Sequence, residues 1–340
     1  MYKFQKIICA GGVVFICIFV MSACVKCANP IKTDINGKGS VSIVSYNAQT
    51  FFDAIEDGNE FKEFKGTKTK WSKERYSERL LRLKEVLHLS SLKLGFSEND
   101  IPDILILQEI ESRTVLEDFC KKLPMHNSYK YAAFIPAGKN AAFSNAVLSK
   151  FPINNISIFN IHCTEADLRP MFECKFKISA PKNDIEFFLF VVHWKSKVGK
   201  GQTDNIRALQ EKQIYNRLKN LQTELPESFF ILCGDFNQNP EEFSLLSEFK
   251  NCWDFSRYNE ALKTGGQAAG SYFYKNTWER IDHFFYSKNL SDGKDLDISF
   301  FNVINLPPLI DKDGIPNKYT VFSGKGYSDH LPIGIVLKLQ

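Results

Sequence analysis

The stretch Phe229-Phe230-Ile231-Leu232-Cys233-Gly234-Asp235-Phe236-Asn237 decides how this 340-residue chain is read. An apolar run of strand length passes directly into glycine, aspartate, phenylalanine and asparagine. The run reads as a core strand, with Cys233 a buried thiol. Taken alone, Gly-Asp-Phe-Asn could be a tight turn, because Asp and Asn tolerate unusual backbone angles. Its weight comes from the other strand-like runs, which end in the same way.

Val41–Tyr46 ends in Asn47, Gln108-Glu109 follow Asp103–Leu107, and His193 closes Phe187–Val192. Arg280-Ile281-Asp282 leads into His283–Tyr286, and Ser328-Asp329-His330-Leu331-Pro332 precedes Ile333–Leu337. Each has an ordinary reading on its own: a cap for Asn47, a solvated loop for Glu109, a core histidine for His193, a helix cap for Ser-Asp-His. Buried carboxylates are costly without a partner or a metal. Polar ends on so many core-like strands therefore point to convergence on one site. His283, beside Asp282, reads as a strand residue.

Between the runs lie helical patterns. Ser72 is placed to cap a helix in which Tyr76, Leu80, Leu83 and Leu87 share one face. A second helix is expected from about Asp204 to Leu221, with Ile214, Leu218 and Leu221 on its apolar face. Strands interleaved with helices imply an α/β domain with layered sheets. No internal repeat or linker divides residues 41–340, so one catalytic domain is expected there.

Composition narrows the class. With 43 Lys+Arg, 39 Asp+Glu and 44% apolar residues, disorder and coiled coil are excluded, and a charge of +4 names no partner. One apolar stretch, Ile7 to Met21 after Lys3 and Lys6, reads as an export signal over residues 1–23, shorter than the ~20 residues of a spanning helix. It ends Val20-Met21-Ser22-Ala23-Cys24, which resembles a bacterial lipoprotein signal with Cys24 lipid-modified. Residues 24–40 then form a lipid-anchored tether. Simple secretion and an uncleaved anchor are the alternatives, and all three put the domain outside the cytoplasm. A disulfide between Cys163 and Cys174 is allowed in that setting.

The ordered set Asn47, Gln108-Glu109, His193, Gly234-Asp235-Phe236-Asn237, Arg280-Ile281-Asp282-His283 and Ser328-Asp329-His330-Leu331-Pro332 resembles the endonuclease/exonuclease/phosphatase superfamily over roughly residues 41–338. The resemblance implies a four-layered α/β sandwich, two packed mixed β-sheets flanked by helices, and a divalent-metal phosphodiesterase or phosphatase. It implies Mg²⁺, with Mn²⁺ or Ca²⁺ as alternatives, held by Glu109 with Asn47 and Asp329 beside it. Gln49 stands where abasic-site endonucleases carry a metal-binding Asp, so one tight ion is expected. Asp235 and Asn237 are implied to face the attacking water and the phosphate. His330, oriented by Asp282, would contact a phosphate oxygen or act as base, and His193 would be a general acid.

His193-Trp194-Lys195-Ser196-Lys197 is similar to a run in bacterial extracellular nucleases of that superfamily. Lys195, Lys197 and Lys200 would hold flanking phosphates, and Tyr274 and Trp278 would stack on bases. Their plain alternatives are a solvated lysine-rich loop and a hairpin core. The expectation is a monomeric nuclease acting on nucleic acid and attached to a membrane by its lipid. The alternatives are a sphingomyelinase-like or inositol-phosphate enzyme and a non-catalytic surface-binding lipoprotein.

Overall fold

Register and side-chain alternation place the site, so the sheets come first. In the computed structural model the described residues are 3–9, 12–20, 39–57, 59–66, 68–136, 141–179, 184–197, 203–263 and 266–340, with 3–9, 12–20 and Arg257 described as backbone. One sheet has eight strands, in spatial order β1 (Lys3–Cys9), β2 (Gly12–Val20), β5 (Tyr131–Phe134), β6 (Ser144–Ser149), β4 (Ile104–Ile110), β3 (Ser40–Phe51), β16 (Ile333–Leu339) and β15 (Leu296–Val303). The other has six: β11 (Lys250–Asn251), β14 (Asp282–Tyr286), β10 (Phe229–Asp235), β9 (Ile185–His193), β8 (Met171–Ile178) and β7 (Ile153–Phe159). Both are mixed, with β3–β4 and β9–β10 parallel and their other pairs antiparallel. β1 and β2 carry the stretch read as an export signal and form a hairpin joined to the sheet through β5. Cys24 and Lys200 lie outside the described residues.

Alternation along the second sheet separates two cores. Leu189, Val191, Ile231, Cys233, Phe284 and Tyr286 belong to the main cluster, which also holds Val44, Leu105 and Leu107 of the first sheet. The intervening Phe190, Val192, Phe230, Leu232 and Phe285 face the other way, onto Ile214, Leu218 and Leu221 of α3 (Thr203–Glu224). Each such fully buried side chain contributes roughly 1.5–3 kcal/mol. Helices α1 (Lys73–Lys93) and α2 (Arg113–Lys121) flank the first sheet. Ser72 caps α1 by accepting from the Arg75 N–H, and Leu94 just beyond it packs on Val44 beside Gly334. The α/β sandwich of two mixed sheets with helices on the outside is thus as expected. A short helix α4 (Ser256–Lys263) and a hairpin, β12 (Tyr272–Tyr274) with β13 (Thr277–Glu279), complete the elements used below.

Cys163 and Cys174 are both free thiols; Cys174 is buried in β8, opposite Ile156. The allowed disulfide does not form, because Cys163 lies beyond the paired part of the hairpin. Cys233 is fully buried as expected.

Candidate active site

Parallel pairing of β9 with β10 sets His193 opposite Asp235, and antiparallel pairing of β10 with β14 sets Asp235 opposite Asp282. All three continue the inward-facing series Leu189–Val191, Ile231–Cys233 and Tyr286–Phe284, so their side chains enter the space between the sheets. Gly234 makes that close pairing feasible. A Cβ there would lie 2.0 Å from the Val192 carbonyl oxygen, and its φ of +133° is one that side chains rarely adopt. After Asp235 the chain turns: the Asn237 N–H donates to Asp235 Oδ1 at 2.9 Å, and Phe236 is buried against Trp194 and Phe243. Gly-Asp-Phe-Asn is therefore a strand end in which every residue has a separate physical task.

The first sheet reaches the same place by irregular backbone. The β3–β4 register breaks between Asn47 and Phe51, and Gln49, Thr50 and Glu109 have φ of 50°, 46° and 61°. Such conformations cost on the order of 1–3 kcal/mol each and persist where the surroundings enforce them. Here Arg79 of α1 donates to the Ala48, Gln49 and Thr50 carbonyls, its guanidinium lying between the Phe51 and Tyr319 rings at 4.4 and 4.0 Å. The Gln49 side chain ties the turn to the far loop, donating to the Tyr319 carbonyl and accepting from the Tyr319 and Asp329 N–H groups. The turn in return presents the Thr50 N–H to Glu109 Oε2 at 2.6 Å and Asn47 Nδ2 to Glu109 Oε1 at 3.3 Å. Asn47 Nδ2 also donates to Asp235 Oδ2 at 3.0 Å, joining the two sheets across the site.

His330 completes the centre. Ser328 Oγ donates to the Asn47 carbonyl and accepts from the His330 N–H, which fixes the last loop against β3. His330 Nδ1 lies 2.8 Å from Asp282 Oδ2 and its Nε2 lies 3.8 Å from Asp235 Oδ2; the Tyr272 ring covers it at 4.8 Å. Burial opposes charge on this imidazole, but Asp282, then Asp235 and Asp329, outweigh it and raise His330 to about 10. It is a cation at neutral pH. Burial also raises Asp235, with His330 opposing and Asp282 adding to the rise, well above the ordinary carboxylate range. His193 is the reverse of His330. Its Nε2 is 3.7 Å from Asp235 Oδ2, but its buried Nδ1 has no hydrogen-bond partner. Burial, with Arg169 and His330 nearby, holds it well below the usual imidazole range. In this arrangement His193 is held toward its neutral form and can offer one N–H to a phosphate.

A cavity of about 630 Å³ brings together Glu109, His193, Asp235, Asn237, Asp329 and His330. Asp282 lies behind it, touching only through His330. Asp329 borders the cavity with Lys318 Nζ 3.4 Å from its carboxylate. Tyr274 is at the rim, but Trp278 packs against Phe273 and the main core, so the stacking role expected of it goes unfilled. Lys197 points into the cavity between Glu242 at 2.9 Å and Glu279 at 3.7 Å, which occupy its charge, whereas Lys195 faces a neighbouring cavity. His283 turns away from the site, Nε2 on the Gln238 carbonyl at 2.8 Å and Nδ1 on Asn251 at 3.0 Å.

Arg79, Arg169 and the bracing role of Gln49 escape the sequence reading. Arg79 leaves a trace: it sits at i+3 from Tyr76 on the apolar face of α1, where an arginine needs a buried partner. Arg169, just before β8, has no comparable signal.

The donor set fits a hard divalent ion at Glu109. Its partly exposed carboxylate is held by two N–H donors, feels Arg79 and Arg169 without a direct ion pair to either, and opens on the cavity, as suits an ion that keeps several waters. Asn47 turns a donor, not an oxygen, toward Glu109, so in this arrangement it orients the ligand carboxylate. The cluster Asp235, Asp282 and His330 also has metal-like spacing, and in it His330 Nδ1 is engaged by Asp282 at 2.8 Å.

A carboxylate beside an acid–imidazolium cluster, at the ends of two packed sheets, has the groups that hydrolysis of a phosphate ester needs. The chain belongs to the Endonuclease/Exonuclease/phosphatase family, whose model matches residues 42–339. Enzymes of this family are typically dependent on divalent metal. No curated protein matches the sequence. Among solved structures the fold is similar to truncated Caenorhabditis elegans TDP2, at 16% identity and a TM-score of 0.54 over 88% of this chain and 97% of that one. It is also similar to D. rerio TDP2 complexed with single-strand DNA product, at 16% identity and 0.53 over 88% and 100%. An endonuclease/exonuclease/phosphatase family protein from Bacteroides thetaiotaomicron aligns at 17% identity and 0.52, over 88% and 98%.

Proposed function

We propose that the protein is an exported, divalent-metal-dependent nuclease that hydrolyses phosphodiester bonds of DNA or RNA. The observation that carries the reading is Asp235 Oδ2, which faces Asn47, His193 and His330 at 3.0, 3.7 and 3.8 Å and borders a cavity whose other side is Glu109. A bound divalent ion would neutralise phosphate oxygens and the leaving oxygen. Asp235, raised toward neutrality, is matched to take a proton from water as that oxygen attacks phosphorus. The P–O ester bond opposite then breaks, and the leaving oxygen takes a proton from solvent to depart as the alcohol. His330, charged and held by Asp282, donates through Nε2–H to a non-bridging oxygen, and neutral His193 and the Asn237 amide provide further donors. The likeness in fold to a protein crystallised with a single-strand DNA product accords with a nucleic-acid substrate.

The test is a substrate panel in Mg²⁺ with an EDTA control: plasmid, single-stranded DNA, RNA, sphingomyelin and inositol phosphates. Cleavage of nucleic acid that EDTA abolishes is expected. Hydrolysis of sphingomyelin or inositol phosphates alone would assign a lipid or sugar-phosphate enzyme, and no hydrolysis at all would favour a binding protein. Export rests on the basic-then-apolar N-terminus and the small residues before Cys24, and processing there would remove β1 and β2 and leave a six-stranded first sheet with β5 at its edge. Multiple acyl chains anchor stably, so Cys24→Ser should move the protein from membrane to soluble fraction or block processing. A wild type already soluble and unlipidated would leave simple secretion.

A further inference from the structure

The catalytic cavity continues past His193. That imidazole and Phe61 also border a second cavity of about 920 Å³, lined by the end of β5, the start of β6, the end of β7 and the chain entering β8. We propose that this second lobe binds the nucleoside on one side of the scissile phosphate, the catalytic lobe binding the other, so the preferred substrate is a diester with a nucleoside on each side. The inference rests on the nuclease reading and adds to it the size and two-sidedness of the substrate.

Three features give the lobe its chemistry. Ile135, Phe143, Ile158 and Leu168 supply apolar walls, and the volume falls in the range, roughly 300–1,000 Å³, of pockets that enclose drug-sized molecules. Asn145 borders the lobe at 5% exposure, and its Oδ1 has no hydrogen-bond partner. A buried acceptor left unpaired is unfavourable, so the occupant should bring an N–H or O–H donor. Arg169 also borders the lobe. Its Nε reaches the Phe143 carbonyl at 3.4 Å, and Glu109 and Asp235 stabilise its charge without a direct ion pair among the described residues, which places it beside the catalytic carboxylates. A guanidinium with free N–H groups next to the scissile position suits a phosphate oxygen.

An apolar slot with one acceptor amide, a guanidinium at its mouth and Lys195 beside it matches a flat base on a phosphorylated sugar. A phosphomonoester would need the catalytic lobe alone. An acyl chain would cover the walls but leave Asn145 unpaired. On the other side of His193, Tyr272, Tyr274 and the exposed Phe322 line the catalytic lobe and give the opposite nucleoside aromatic faces to meet.

The experiment compares kcat/KM for a short oligonucleotide with that for methyl p-nitrophenyl phosphate, a diester small enough for one lobe, in Mg²⁺. Leu168→Trp fills the lobe from a half-buried position, and Asn145→Ser shortens the acceptor without adding bulk. Loss of one base contact is about a tenfold or larger effect, so each variant should lower the oligonucleotide-to-small-diester ratio by about tenfold. Circular dichroism and melting identify any variant that fails to fold, and the other then decides. An unchanged ratio in a folded variant would overturn the subsite while leaving the nuclease reading in place. A wild type that hydrolyses the small diester but no oligonucleotide would overturn the nuclease reading itself. A ratio that falls for sphingomyelin and holds for oligonucleotide would assign the lobe to a lipid.

Discussion

On the second sheet, His193, Asp235 and Asp282 stand in register on three neighbouring strands, and none of them has a positive φ. On the first sheet, Gln49, Thr50 and Glu109 all do, and a buried arginine on a helix must hold the turn that presents them. The electrostatics divide along the same line. The second-sheet acids meet the His330 imidazolium supplied by the last loop at 2.8 and 3.8 Å, whereas Glu109 feels Arg79 and Arg169 only from a greater distance and has hydrogen bonds but no direct ion pair among the described residues. Regular pairing suffices where the partners come from the fold. Where the partner must come from solution, the carboxylate has to be turned outward, and only unusual backbone angles do that here.

If this division is right, the variant with the largest effect lies in the regular half. Asp235→Asn keeps the shape and one of the two accepted bonds, from Asn47 or from the Asn237 N–H, but removes the proton acceptor, so turnover should fall by about 10³-fold. The wild-type rate should also fall on acidification at a pH above the ordinary carboxylate range, because burial raises Asp235. That acid limb should be absent in Asp235→Asn. A variant with the wild-type limb would assign the proton to another group.

Glu109→Gln, in the strained half, should lower turnover by about 10²-fold and weaken Mn²⁺ binding measured by calorimetry. Undiminished Mn²⁺ affinity would move the ion elsewhere and remove the division of labour. Gln49 borders the cavity, and Gln49→Ala frees Tyr319 and Asp329 from the turn that orients Glu109. Supporting residues of this kind change metal affinity by about tenfold, and excess metal should restore most of the rate. A rate loss that metal cannot restore would show that Gln49 acts on the chemistry instead.

The same division explains what was legible in the sequence. Strand alternation and terminal polar residues are local, so the regular half could be read directly, and Ser72 with Tyr76, Leu80, Leu83 and Leu87 gave α1 its start and face. Some elements that escaped had a readable pattern, since Val115, Leu116, Phe119 and Cys120 share one face of α2 and Phe172, Cys174, Phe176 and Ile178 alternate with charges along β8. By contrast, β15 breaks its period at a register shift between Ile298 and Phe300. The roles that shifted depend on distant neighbours. His193 is held toward its neutral form by burial, with Arg169 and His330 adding to it, Lys197 is held by Glu242 and Glu279, and Trp278 turns into the core. No spacing within one segment encodes those contacts.

The smallest effect on catalysis at neutral pH, and a separate check on the regular half, concerns the outer side of β14. His283 lies beside Asp282 but faces Phe236, Phe243 and Phe285, and burial holds it down at about 4. The unfolded chain therefore takes up a proton near pH 6.5 that the folded protein refuses until about 4. The stabilisation is complete above 6.5 and drains away between 6.5 and 4, by up to about 3 kcal/mol if this group acted alone. Protonation would set an N–H where Nδ1 now accepts from Asn251, loosening the strand that carries Asp282. Urea unfolding at pH 7 and pH 4.5 should show a steeper loss in wild type than in His283→Phe, which keeps the aromatic packing and cannot ionise. Equal losses would mean that the acid sensitivity arises elsewhere, with the Asp235–Asp282–His330 cluster the next group to test.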